Sequence, residues 1–373
     1  AGDAVNRGFT LVELMIALAV GAILLAGIGS LVQGTHDSNR LQQNQAQIQG
    51  NARFALNRLG RDLLAAGHLG CTSIGRLDQL DVVSSGGAFR TDFTTAITGH
   101  EAAGSGPGDT LNRDNTAANW TPALPTALQG RVLAGSDVLI LRRGRGPVLP
   151  LSREKGNDRI FVNPAGGLDD GCSGDLCPGD QAVVTDCGRA RVFTVTDIQS
   201  VNSGAEHALV HGDSGNSNSL WGGPAAGDQR YHFTAQNGLV QRVSTIAWFV
   251  GRSSGIPTLL RWADGNLTRI ARGVETLQLF YGEDTDGDGT PNRYRPADQV
   301  GDFAEVITVR VDLLLAGDRP LRQPASNPVD DLGPGPGGNA GPGSRVRVTG
   351  NPDRLLREPV GLTFHLRNRG DGP

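Results

Sequence analysis

Asp284-Thr285-Asp286-Gly287-Asp288-Gly289-Thr290-Pro291-Asn292 sets three carboxylates on alternate positions, with glycines where the chain must turn sharply. Oxygens from Asp284, Asp286 and Asp288, the Thr290 carbonyl, and the Asn292 side chain or a water could converge on calcium. Without a cation, three carboxylates this close repel one another. The twelfth position holds Arg295 where an EF-hand has a bidentate Glu, so only the first half of that pattern is present. Asp298 or Glu283 is a candidate for the missing oxygen. The plainer reading is a solvated, metal-free hairpin turn between two strands.

Cys172 and Cys177 lie in Gly-Cys-Ser-Gly-Asp-Leu-Cys-Pro-Gly, which suits a small disulfide loop. Zinc is disfavoured, because only Cys71 and Cys187 remain and no His is near. Four cysteines allow three pairings, of which Cys172–Cys177 with Cys71–Cys187 is preferred in an oxidising compartment. The Gly212-Asp213-Ser214-Gly215 stretch follows His211 and looks like a serine-protease nucleophile loop, but nothing in the chain builds the barrel that such a Ser requires. No enzyme activity is expected. Arg345, Arg347, Arg354, Arg357, Arg367 and Arg369 could form a basic stripe. Phe364 is the one aromatic interleaved, and the net charge is −4, so no direct nucleic-acid partner is expected.

These groups need a scaffold, and its start is the most informative stretch. Phe9 to Val32 is apolar apart from Glu13, and as a helix at ~1.5 Å per residue it spans about 36 Å, enough for a hydrocarbon core. No small-residue cleavage site follows it, and Arg7 on the short flank places the N-terminus inside. Met15 is the sole Met and lies within this run, so an initiating residue is expected upstream of Ala1. A carboxylate in such a helix costs about 2.5–3.5 kcal/mol at the bilayer centre and should find a partner. Cleavage after Gly8 would put a cationic amine on Phe9, and a neighbouring subunit's amine could neutralise Glu13.

The helix should continue to Gly67 as a Gln- and Asn-rich, then amphipathic segment. Leu41, Ile48, Ala52, Ala55, Leu56, Leu59 and Leu63 form its apolar stripe, and Arg53, Arg58, Arg61 and Asp62 its polar face. Gly21, Gly27, Gly29 and Gly34 are expected points of bending or unwinding. Past Cys71 the helical period gives way to short β-branched runs. They fall at 136–141, 181–185, 191–198, 207–211, 239–250, 258–262, 274–281, 305–315 and 360–369, and predict a largely antiparallel sheet. Residues 84–130 and 212–227 read as loops, and Asp331–Ser344 as a Gly/Pro-rich loop.

Arg7-Gly8-Phe9-Thr10-Leu11-Val12-Glu13, followed at once by the apolar span, resembles the class III signal of type IV pilins and type II secretion pseudopilins. Arg53–Cys71, Val183–Thr196, Gly273–Tyr294, Glu305–Leu315 and Gly361–Arg369 resemble the PilW family of minor pilins. Stretches at 84–130, 199–230 and 316–350 have no counterpart in that likeness. The resemblance implies cleavage after Gly8 and methylation of Phe9 by a prepilin peptidase, with Glu13 used in subunit docking.

The expected fold is α+β: a long N-terminal helix packed on a mainly antiparallel β head with long loops. The expected divisions are a leader at 1–8, a transmembrane half-helix at 9–32, an amphipathic half at 33–67 and a head at 68–373. The expected function is that of a minor pilin that helps prime pilus assembly, and so motility, adhesion or DNA uptake. Its expected partners are other minor pilins, the major pilin, the peptidase and the inner-membrane assembly platform, with no small-molecule substrate. The expected location is a Gram-negative inner membrane with the head in the periplasm, then the pilus, near its tip. A type II secretion pseudopilin and a membrane-anchored, calcium-dependent adhesin are the alternatives.

Overall fold

A computed structural model describes residues 10–85, 87–106, 109–112, 117–154, 156–164, 166–223, 229–321, 330–332, 346–349 and 354–368. Of these, Ser30, Ala88, Gln229, 330–332 and 346–349 are described by their backbone alone. Helix α1 runs uninterrupted from Leu11 to Leu64, about 80 Å at ~1.5 Å per residue. Thr10 caps it. The Thr10 hydroxyl accepts the Glu13 N–H, and the Glu13 carboxylate accepts the Thr10 N–H, a reciprocal box that satisfies two otherwise orphaned donors. The four glycines expected to loosen the helix stay helical, since each costs only about 1 kcal/mol among strong helix formers. Termination comes at Ala65, and Gly67 then takes a φ of +79°, a left-handed turn that favours glycine.

The second half of α1 carries the core stripe. Ile48, Ala52, Ala55, Leu56, Leu59, Leu63 and Ala66 recur at helical spacing and are all buried against the head. Leu41 departs from the expected stripe and is 37% exposed. One turn on, the buried position goes to Asn44, whose amide donates to the Arg319 carbonyl at 2.8 Å.

The head is β-rich, and its strands are named here in chain order. A nine-stranded sheet contains β1 (Gln79–Val82), β2 (Ile97–Ala102), β3 (Trp120–Thr121) and β4 (Val138–Pro150). After β5 (Arg159–Val162), which lies elsewhere, it adds β6 (Gln181–Thr185) and β7 (Arg189–Thr194). Strands β8 (Asp197–Val201) and β9 (Glu206–Val210) pair with β5 in a small sheet. The large sheet is completed by β10 (Leu239–Ser253), β11 (Ile256–Ala263) and β12 (Asn266–Arg272). Strand β10 is its pivot, holding β4 along one edge and β6, then β11, along the other. A four-stranded antiparallel sheet follows: β13 (Val274–Glu283), β14 (Arg293–Arg295), β15 (Val306–Ala316) and β16 (Arg357–His365), in the order β14-β13-β15-β16. Helix α1 packs on β12, β15 and β16, so both larger sheets share its core stripe.

The fold is thus α+β with a helical spine, and the nine expected runs all fall in strands, with shifted ends. The run at 191–198 splits, because after Thr194 the chain changes partners: the Thr196 N–H donates to the Val210 carbonyl in the small sheet. The expected loop at 84–130 contains β2, and Asp331–Leu332 of the expected Gly/Pro loop belongs to a three-residue strand, Asp330–Leu332, paired with Val346–Thr349. Residues 333–345 lie outside the described residues.

Candidate functional site

The first half of α1 is not buried against the head among the described residues. Its most apolar 18-residue window has a mean hydropathy of 2.5, with none of it buried, and by length and composition it can cross a membrane. Side chains such as Leu14, Ile23, Leu25 and Leu31 are exposed all round it. Glu13 is held by Thr10, whose hydroxyl donates to its carboxylate at 2.9 Å. Gly8 and Phe9 lie outside the described residues.

Where the spine meets the head, the decisive residue is one that the sequence pattern assigned to the polar face. Asp62 is 2% exposed. Its carboxylate accepts Arg261 Nε at 2.6 Å and Trp248 Nε1 at 3.1 Å, and Arg143 approaches to 3.2 Å. Burial pulls the Arg143 guanidinium below its ordinary value, and Asp62 opposes that shift. Nothing in the helical period separates this Asp from a solvated one; an unexplained carboxylate beside Leu59 and Leu63 was the available signal. Just past the helix, a disulfide joins Cys71 to Cys187 in the turn between β6 and β7. The second bridge joins Cys172 to Cys177. Ser173, inside that small loop, meets His207 Nδ1 at 2.8 Å.

The loop from Asp284 to Asn292 joins β13 to β14; residues 285–290 are exposed, and Asp284, Pro291 and Asn292 are half-buried. Asp284, Asp286 and Asp288 each offer an oxygen within 4.8 Å of the others. Asp284 anchors the turn by accepting the N–H groups of Gly287 and Gly289, both at 2.8 Å. Slight desolvation pushes its pKa upward, but those backbone donors outweigh it and leave the carboxyl below the usual range. The donor set is hard oxygen, which fits calcium or magnesium better than a soft metal. Asn292 turns its amide nitrogen toward Asp286, at 3.1 Å, and its oxygen toward Thr285 N, at 2.6 Å. Glu283 is fully buried and held by Arg293 at 2.7 Å and Arg295 at 3.7 Å, so it is not a spare ligand. Asp298 instead faces a second acidic group.

That group was not legible in the sequence. Asp137, 1% exposed, accepts Ala102 N and Leu279 N, both at 2.9 Å, and so ties β2 to β13. Glu101, 6% exposed, lies beside it. Burial, then the charges of Asp137 and Asp298, push the Glu101 carboxyl far up, and burial also raises Asp137. The Tyr281 hydroxyl is buried near both carboxyls and shifted up by the same causes.

Other candidate groups disperse. Ser214 sits on an exposed turn, whereas His211 is fully buried with its ring stacked on Trp221 at 4.5 Å. Arg357 is committed to Glu275 at 2.8 Å, and Arg345 and Arg369 lie outside the described residues.

With this geometry in place, comparison with known families is informative at both ends. Residues 4–29 match the prokaryotic N-terminal methylation motif, and residues 247–368 match the family described as type IV pilus-assembly protein W. The chain is PilW-like. The second match covers about a third of the chain, from the middle of β10 through β16. It includes the Asp284–Asn292 loop and spans 316–350, where the sequence likeness had found no counterpart. Arg53–Cys71 and Val183–Thr196 lie outside it, as do Asp62, Glu101 and Asp137. No curated protein and no solved structure matches the chain. The matched families are components of pilus assembly, which gives the chain a pilin-like role with membrane anchoring through α1.

Proposed function

We propose that the protein is a minor pilin that helps prime assembly of a type IV pilus. The observation that carries this is the division of one helix. Its first half presents an unpartnered apolar surface behind a prepilin motif, while its second half is buried in a PilW-like head. In the assembly, apolar packing between first halves supplies contact area, and Glu13 leaves its cap to pair with the Phe9 amine of a neighbour. The head lies in the periplasm of a Gram-negative cell before assembly and near the pilus tip after it. Other minor pilins, the major pilin and the inner-membrane platform are its partners, and a prepilin peptidase releases Phe9. The family description favours the pilus over a type II secretion system.

Mass spectrometry of the native N-terminus should give a peptide that begins at N-methylated Phe9, and deletion should reduce surface pili. An intact Ala1–Gly8 in cells with active peptidase would overturn the reading. Normal piliation with lost secretion of extracellular enzymes would move the protein to the secretion system.

The convergence of Asp284, Asp286 and Asp288 supports a calcium ion at that loop, where it would relieve their mutual repulsion and steady the β13–β14 connection. Isothermal titration should show calcium binding that Asp286→Asn weakens, and equal binding by that variant would remove the loop as a ligand set.

A further inference from the structure

Strands β2 and β4 pair side by side, and one face of that pair is the floor of a cleft of about 700 Å³. Leu139 and Leu141 turn the other way, into the core that α1 shares. Thr98 and His100 of β2, with Ile140 and Arg142 of β4, line the floor at alternate positions. Phe89 from the short helix Ala88–Thr91, Pro122, Pro125 and Phe303 make apolar walls.

The His100 side chain is the feature that points to a ligand. It is 8% exposed, and its Nδ1 lies 2.8 Å from the Pro122 carbonyl. A carbonyl only accepts, so Nδ1 carries the proton and Nε2 the free lone pair. Burial holds the ring below its ordinary value, Pro122 opposes that shift, and the charge of Arg142 adds to it. Nε2 makes no hydrogen bond among the described residues, yet it is not sealed off, and the cleft is the space that His100 lines.

Arg142 makes the opposite demand. It is 3% exposed, with Nη1 at 3.3 Å from Thr98 Oγ1 and 3.4 Å from the Thr95 carbonyl, and Nη2 at 3.7 Å from Asp92. Burial pulls this guanidinium below its ordinary value, and Asp92 offsets only part of the shift. Arg90 also lines the cleft, so two guanidiniums face one carboxylate and the net charge is positive. The ligand must therefore bring an anion for Arg142 and an N–H or O–H for His100. Arg142 rests against Thr98, two residues and about 7 Å along β2 from His100. An N–H and a carboxylate borne on one carbon span such a gap, as they do at the end of a peptide. At roughly 30 Å³ per water the cleft holds about 23 waters, more than a single amino acid displaces.

We propose that this cleft binds the C-terminus of a peptide that ends in an apolar residue. The terminal carboxylate pairs with Arg142, the last N–H donates to His100 Nε2, and the last side chain packs on the Phe89 and Phe303 walls.

Equilibrium dialysis of the full-length chain in detergent, against micelles alone, tests this with labelled acetyl-Ala-Ala-Phe. The chain should bind it saturably, and the C-terminal amide of the same peptide at least about tenfold more weakly. His100→Asn, which can keep a donor to Pro122 while removing Nε2, should weaken binding about fivefold. Asp92→Asn on the rim removes the competing carboxylate and should tighten binding, a gain that a merely structural role would not give. Arg142→Gln should abolish binding; if that variant does not fold, the amide and Asp92→Asn decide. No saturable binding, equal binding of acid and amide, or no response to His100→Asn or Asp92→Asn would overturn the proposal. Binding of N-acetyl-phenylalanine as tight as that of the peptide would overturn a peptide as the occupant.

Discussion

The two halves of α1 share one backbone and obey opposite rules. From Leu11 to Val32 apolar side chains cover every side of the helix, and none of them is buried among the described residues. From Asn44 to Ala66 a narrow stripe is buried, and two polar residues, Asn44 and Asp62, are buried with it. The first half is built for a surrounding that is apolar in all directions, so it needs no particular neighbour to be soluble in it. The second half is built for one partner, and its buried polar groups specify the position of that partner. Apolar area makes a helix stick; a buried carboxylate with three matched donors decides where.

Four experiments on the full-length chain test that contrast. Asp62→Ala should have the largest effect, destabilising the head by about 3 kcal/mol because the partly buried Arg261 and Arg143 lose their counter-charge. Thermal unfolding followed by tryptophan fluorescence reads it. An unshifted midpoint would mean that the apolar stripe alone seats the head. Replacing Cys71 and Cys187 together by Ser should cost about 2–4 kcal/mol in the same assay, as the bridge closes a long stretch of chain.

The third experiment varies pH with metal removed. Glu101 is pushed up to about 10 and Asp137 to about 7. A raised carboxyl keeps its proton in the folded state, so its stabilisation is complete below the ordinary value near 4 and is lost as pH rises through the raised one. The groups facing Glu101 are Asp137, Asp298 and the Tyr281 hydroxyl, all acids, and none reverses the sign. Stability should fall by on the order of 2 kcal/mol from pH 5 to pH 8. Glu101→Gln should flatten that slope, and a slope as steep as the parent's would assign it to other groups.

Glu13→Gln should change the melting of the head least, by under about 0.5 kcal/mol, since Gln retains the capping box. Pilus number should nonetheless collapse. If piliation stays normal, the charge of Glu13 is dispensable and only its cap matters.

Much of this architecture could be read from residue types. The prepilin motif and the apolar span sit on consecutive residues, and β-branched runs such as Gln181–Thr185 and Glu305–Leu315 stand out because both faces of those strands are buried. The misreadings share a cause. Strand β2, Ile-Thr-Gly-His-Glu-Ala, buries His100 and Glu101, and polar letters in a core position look like loop. Strand β12 errs the other way, an exposed edge with few apolar residues to mark it. Asp62 is hidden by the same ambiguity, because its three partners lie about 80 to 200 residues away in sequence and only the folded chain brings them together. The Asp284 loop was legible since its carboxylates are local; the acidic group at Glu101 was not, since it assembles residues 101, 137 and 298.

Asp62 and Cys71 lie close together at the far end of the spine, and this has a mechanical consequence. A pull on the membrane half of α1 travels along an unbroken rod and reaches the head through contacts from Asn44 onward. Those contacts lie side by side along the helix axis, so tension loads them in shear, and they must yield together rather than peel one at a time. The ion-pair node and the covalent bridge come last in that line. A pull on the exposed half of α1 would therefore strain that half before it stripped this head from its stem.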